Sequence, residues 1–279
     1  MERRRFLPFP SLLATSSPAA SDGELLVDVN VTIGDWVVRR SWADSTATLL
    51  ARLRRHGVTS AWAGTVEGVL HTDIAGANAR LAAACAGTML RPFGTVNPLA
   101  PDWEEDLRRC AEVHGMPGIR LFPGYHFYKL EDEIFARVLA AAARQGLLVQ
   151  ITLAIEDDRS QNPVLTAPFV NVAALPELLA RTPGARVMLL NATSRVFSGP
   201  PLVSRLAQSG VFLEIATLEG VAGIEGLLGR SPKVRLCFGS HSPYFVFESA
   251  LLKLQESDLT PSQSAAVRHA NAALALSRK

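Results

Sequence analysis

Residues 118–124 read GIRLFPG and residues 131–153 read EDEIFARVLAAAARQGLLVQITL; together they describe one strand, one helix and a second strand. Between Glu131 and Gln145 the apolar residues recur with helical period. Acids occupy the first turn, Arg144 the last, and Gly146 supplies the stop. Leu147 to Leu153 is then an apolar run too short for a helix and interrupted only by Gln150 and Thr152. A strand with so little alternation is buried on both faces, which is the signature of a parallel sheet crossed over by helices.

Moving outward, the same unit recurs. Apolar runs stand at Leu25 to Gly34, Val58 to Val66, Leu90 to Pro98, Gly118 to Gly124, Leu147 to Leu153, Ala185 to Ala192, Val211 to Leu218 and Val234 to Ser240. Eight such runs separated by helical segments predict a single closed (β/α)8 TIM barrel over residues 25–279, since a doubly wound sheet would permit the alternation but not favour this count. The 279 residues suit one barrel domain. Helix punctuation supports the division. Asp44 or Ser45 can cap a segment running to Arg54-Arg55-His56 and stopping at Gly57, and Thr260-Pro261-Ser262-Gln263 has the pattern of a capping box.

Composition narrows the function classes. The chain has 48% hydrophobic and 19% charged residues, with Lys plus Arg at 28 against 26 acids scattered along it, so no basic stripe predicts a nucleic-acid partner. The longest apolar region, Ile134 to Ile155, is broken by Arg137, Arg144 and Gln145, which predicts no membrane span. Cys85, Cys110 and Cys237 are too few and too far apart for a disulfide framework or a metal knuckle and are expected as buried small residues. Residues 1–24 are read either as a basic tail on a cytoplasmic protein or, because Arg3-Arg4-Arg5-Phe6-Leu7 fits R-R-x-F-L, as a twin-arginine export signal. A homo-oligomer is left open.

A polar side chain on a strand buried on both faces needs a partner, so the polar residues near strand ends are the informative ones. They are Asp28, Asn30 and Thr32 on the first run, Asn97 at the end of the third, Arg120 on the fourth with Tyr125, His126 and Tyr128 just beyond, and Gln150 and Thr152 on the fifth. Asn191 ends the sixth, Glu214 lies on the seventh, and His241 follows the eighth. His241 and His126 have the side chain suited to acid–base work near neutral pH. Arg120 either pairs with an acid such as Glu214 or holds a substrate carboxylate. His71 and Asp73, after the second run, could join His126 and His241 in a metal site assembled from loops. His56, His114 and His269 are expected in structural roles, and Glu156-Asp157-Asp158 as a solvated acidic loop.

Several segments, in this order, resemble the amidohydrolase-related metal-dependent hydrolases and decarboxylases. They are the D-x-x-x-x-x-G frame from Asp28 to Gly34, Gly118-Ile119-Arg120-Leu121-Phe122-Pro123 with Tyr125-His126, Pro183 before the sixth run, Phe238-Gly239-Ser240 before Ser242-Pro243-Tyr244, and Asn271-Ala272. The resemblance implies a β/α barrel with a metal-activated water. The ligand positions it implies are changed, however. The family's D-x-H-x-H reads Asp28-Val29-Asn30-Val31-Thr32, Thr152 and Asn191 stand at the histidine positions of strands five and six, and His241 replaces the aspartate of G-S-D-x-P. Amides and hydroxyls are poor zinc ligands. The expectation is therefore an enzyme, hydrolase or lyase, acting without metal or other cofactor on a small polar or carboxylate-bearing molecule. His241 and His126 are its candidate catalytic groups, and Asn30, Thr32, His71, Arg120, Tyr128, Thr152, Asn191 and Glu214 its candidate binding groups. A non-catalytic binding barrel and a hydrolase with a relocated metal site are the alternatives.

Overall fold

The structure is a computed structural model that describes residues 25–277 except residues 39, 40, 44, 158 and 193. The twin-arginine pattern and Asp44 lie outside the described residues. Eight strands run parallel in sequence order: β1 (Val27–Ile33), β2 (Ser60–Thr65), β3 (Leu90–Thr95), β4 (Gly118–Leu121), β5 (Leu148–Thr152), β6 (Arg186–Leu190), β7 (Phe212–Glu214) and β8 (Arg235–Cys237). The first and last strands approach through Val29 N–H to Phe238 O at 3.0 Å, Thr32 N–H to Ser242 O at 2.8 Å and a parallel bridge between Val31 and Ser242. The sheet is thereby a nearly closed barrel ringed by helices, as the eight runs predict.

Each of the eight runs contains one strand shorter than the run itself, and β7 and β8 are the shortest, at three residues each. Past Glu214 and Cys237 the chain leaves the ladder and turns over the barrel mouth, which is where the polar residues stand. Ser45 caps the helix Thr46–Arg55 by accepting from Thr48 N–H at 3.2 Å, Gly146 ends Glu133–Gln145 in left-handed backbone, and Thr260 with Gln263 closes a capping box.

Two apolar layers hold the fold. The outer layer packs helices on strands through residues such as Leu53, Phe135, Leu139, Ile151, Leu213 and Phe247. The inner one fills the lower barrel with Val29, Trp62, Phe93, Leu148, Met188, Phe212 and Cys237. Trp62 and Phe93 stack there with ring centroids 5.0 Å apart, and burying each such side chain contributes roughly 2 to 3 kcal/mol. Ala272 and Ala275 of the last helix, Asn271–Leu276, join this inner cluster, and Asn271 Nδ2 donates to Leu236 O at 2.8 Å. All three cysteines are buried and free. Among the described residues no helix is long and apolar enough to cross a membrane.

Two glycines make room for charge above that cluster. A Cβ on Gly64 would lie 2.8 Å from Arg120 Cδ, and one on Gly239 would lie 2.5 Å from Glu214 Oε2. Backbone without side chain at these points lets Arg120 and Glu214 enter the barrel.

Candidate functional site

Three ionisable side chains lie fully inside the barrel, each held by its own partners. Asp28 accepts from Asn30 N–H at 3.0 Å, Ser240 N–H at 3.0 Å and the Ser240 hydroxyl at 2.5 Å. Burial pushes its carboxyl up to about 6, against the pull of those bonds and of Arg120. Glu214 accepts from Asn191 N–H at 2.5 Å and Ala216 N–H at 2.6 Å, and burial raises it to about 7.

Arg120 donates from Nε to Gln150 Oε1 at 2.9 Å, from Nη1 to Val31 O at 2.8 Å and from Nη2 to Trp62 O at 3.1 Å. Gln150 in turn donates to Val29 O at 2.9 Å. Burial lowers the guanidinium to about 10, with Asp28 and Glu214 opposing from a distance. No ion pair joins Arg120 to Glu214. Carbonyl oxygens of β1 and β2 stand where an acid such as Glu214 was expected to pair with it.

Above these groups three of the five positions that the resemblance reads as metal ligands, Asn30, Asn191 and His241, close on one another. Asn30 Nδ2 donates to Asn191 Oδ1 at 2.8 Å, and Asn191 Nδ2 donates to Ala154 O at 2.6 Å while lying 3.3 Å from His241 Nδ1. His241 Nε2 is 2.7 Å from Ile155 O. A carbonyl only accepts, so Nε2 carries the proton and Nδ1 is left to accept from Asn191. The rings of Phe245 and Tyr244 meet this imidazole edge-on at 4.9 and 5.5 Å, and Tyr244 Oη is tied to Gly34 O at 3.0 Å. Asn191 and His241 hold left-handed backbone, φ 54° and 53°.

What is left at the centre is a cavity of about 10 Å³ walled by Asn30, Thr32, Arg120, Thr152, His241 and Tyr244. That is room for about one water. Thr152 Oγ1 is buried there without a protein partner. As a cradle for the divalent ion that the resemblance implies, this donor set does not fit. It offers two amides, two hydroxyls and one imidazole, with both amides and the imidazole already turned to protein partners, and carboxylates satisfied by backbone N–H groups. Among the described residues no group of three or more His, Cys, Asp or Glu side chains is placed to hold a metal ion.

The remaining candidates lie elsewhere. His126 is buried, 3.1 Å from Gly68 O through Nε2 with Nδ1 unpartnered, and burial lowers it to about 4. His71 is exposed at the end of the short helix Glu67–Leu70. Tyr128 packs on Phe135 in the outer layer with its hydroxyl unpartnered. None of the three lines the central cavity, and the loop metal site of His71, His126 and His241 is not assembled.

A second, larger space opens beside the centre. It is a groove of about 630 Å³ over the ends of β5 to β8, lined by Ile155, Glu156, Asn191, Phe245, Leu252 and Lys253 among others. Sequence reasoning missed it, because Glu156 was expected in a solvated loop. Instead Glu156 is 4% exposed, accepting from Asn162 N–H at 3.2 Å. Arg159 at the rim bridges Asp157 and Glu219, both at 2.6 Å. Lys253 donates to Ile215 O at 3.1 Å and to Ala216 O, and burial lowers its pKa. The signal for Glu156 was its adjacency to an apolar strand end, outweighed by the two acids that follow it.

No sequence-family model matches the chain, and no curated protein matches it by sequence. Solved structures do match in fold. A Staphylococcus aureus protein provisionally described as an amidohydrolase superposes with a TM-score of 0.66 at 13% identity, over 91% of this chain and 99% of its own. The 5-carboxyvanillate decarboxylase of Novosphingobium aromaticivorans, solved with manganese and 4-hydroxy-3-methoxy-5-nitrobenzoic acid, gives 0.66 at 16% identity, over 91% and 96%. The 2,6-dihydroxybenzoate decarboxylase of Rhizobium gives 0.66 at 12% identity, over 91% and 98%. The chain thus has the fold of the amidohydrolase-like β/α barrels.

Proposed function

We propose that the protein is an amidohydrolase-like barrel that binds a small organic molecule in the groove over β5 to β8, its centre serving as a hydrogen-bonded plug in place of a metal. The observation that carries this is the closed chain from Asn30 through Asn191 and His241 to Ile155 O, which leaves about 10 Å³ where a substrate and an ion would have to meet. The decarboxylases with this fold act on carboxylated aromatic acids. The metal chemistry that the resemblance implies is not carried over, because the two amides and the imidazole that would hold the ion here already bond to protein partners and the other two positions offer only hydroxyls.

A ligand-observed NMR screen of small organic acids, alcohols and amines tests this, paired with a groove-blocking substitution such as Thr217→Trp. Binders lost on blocking support the groove. Binders that persist there, and that compete with changes around Thr32 and Thr152, would return the site to the centre.

One observation favours a second reading, a metal-free acid–base enzyme using His241. Left-handed backbone at a bulky residue is costly, and such strain clusters where a side chain must be aimed. Under this reading the bond from His241 to Ile155 O opens when substrate enters. Esterase, lactonase and decarboxylase assays on wild type and His241→Asn decide it, since acid–base work contributes about 100-fold to 10,000-fold.

A further inference from the structure

We propose that the groove takes a small organic cation, a primary amine or quaternary ammonium, with Glu156 as its counter-charge and Phe245 as its aromatic wall. This rests on the reading that the groove is the ligand site. Four acids line it, Glu156, Asp157, Glu219 and Glu256, against two cations, Arg159 and Lys253. The cations are already engaged. Arg159 is shared between Asp157 and Glu219 at the rim, and Lys253 gives protons to the carbonyls of Ile215 and Ala216.

Glu156 is the exception. It is the most deeply buried of the four acids, and among the described residues it forms no ion pair and accepts one hydrogen bond, at 3.2 Å from a backbone N–H. A carboxylate withdrawn from water is costly unless a cation or several donors meet it. Glu214, by contrast, accepts from two backbone N–H groups at 2.5 and 2.6 Å. The charge that Glu156 lacks is therefore the ligand's to supply. Phe245 and Leu252 give the same groove an apolar side, and an aromatic face stabilises a nearby organic cation further. A volume near 630 Å³ accommodates a ligand of ordinary metabolite size.

The test compares three probes of one shape, benzylamine, benzyl alcohol and benzoate, by NMR titration at pH 7 against wild type, Glu156→Gln and Phe245→Leu. Circular dichroism and melting confirm that each variant is folded. The expected result is that benzylamine binds at least tenfold more tightly than the other two, and that Glu156→Gln removes this preference without weakening benzyl alcohol. Phe245→Leu, which leaves the carboxylate in place, should weaken benzylamine several-fold and keeps the idea testable if Glu156→Gln does not fold. Equal binding of amine and alcohol, or stronger binding of benzoate, overturns the cation and leaves the groove standing. Failure of all three to bind overturns the groove and the cation together.

Discussion

Asn191 and His241, fifty residues apart in sequence, both adopt left-handed backbone just past the strands β6 and β8 and meet side chain to side chain at 3.3 Å. Neither conformation is cheap, at about 1 to 2 kcal/mol for a residue with a Cβ. Asparagine tolerates it better than most. The bonds that hold the two side chains together, to Asn30, Ala154 O and Ile155 O, stabilise the pair enough to keep it there.

It follows that Asn191→Ala should be considerably more damaging than Asn191→Gly. The alanine loses three side-chain contacts and keeps the backbone cost, so a loss of about 3 kcal/mol is expected. The glycine loses the same contacts but is free at φ 54°, and should recover roughly 1 kcal/mol of that. Urea unfolding of both variants measures the difference; an equal loss would show that the backbone conformation carries no cost.

Arg120 gives a different kind of prediction. Arg120→Leu leaves Gln150 Oε1, Val31 O and Trp62 O without their donor inside the barrel, and should destabilise by about 3 to 5 kcal/mol. Arg120→Lys keeps the charge but cannot fork to three acceptors, and should fall between. Groove-ligand affinity of the folded fraction should be unchanged in both. A variant of normal stability with lost affinity would mean that Arg120 faces the ligand after all.

How far the sequence reveals such a molecule depends on the range over which each feature is determined. Helix caps such as Ser45 and Thr260, and strand runs such as Leu147 to Leu153, are decided by neighbours a few residues away, so they can be read directly. The inward placing of Asp28, Asn30, Arg120 and Glu214 is also legible, because a polar residue on an otherwise apolar strand has few other options. What Arg120 and His241 touch is not legible. Those partners are backbone carbonyls, Val31 O, Trp62 O and Ile155 O, and a carbonyl has no letter in the sequence. The groove was hidden for a related reason. Glu156 sits in an acidic run that looks solvated, and only the packing around it withdraws it from water.

His126 yields a pH dependence with a definite sign. Burial holds its folded value near 4 against an ordinary 6.5, so between those values the unfolded chain binds a proton that the folded chain refuses. Stability from this group is complete above pH 6.5 and is lost as pH falls toward 4. Compared with His126→Gln, the wild type should lose about 2 to 3 kcal/mol more between pH 7.5 and pH 4.5. Asp28 and Glu214, raised by burial, act in the opposite direction over the same range, but they are common to both proteins and cancel in the comparison. Parallel stability curves for the two would place His126 in contact with solvent.

The last prediction concerns metal. Purified protein should hold well under one equivalent of zinc, manganese or iron by elemental analysis, and chelation should leave its melting temperature unmoved. The basis is the donor set: a catalytic zinc takes three good protein ligands, and the positions available are Asn30, Thr32, Thr152, Asn191 and His241. The one imidazole among them already places Nε2 at 2.7 Å from Ile155 O, and binding through that nitrogen would break the contact. Restoring ligands should reverse the behaviour only in concert. Asn30→His with Thr32→His and Asn191→His would unlock the Asn30–Asn191 bond, and ion-dependent stabilisation should then follow the law of mass action with added zinc. Single replacements should merely destabilise, since each breaks the plug without completing a ligand set. Stoichiometric metal in the wild type, with a melting temperature that falls on chelation, would mean that these amides and hydroxyls are not the site and that a different set of residues holds the ion.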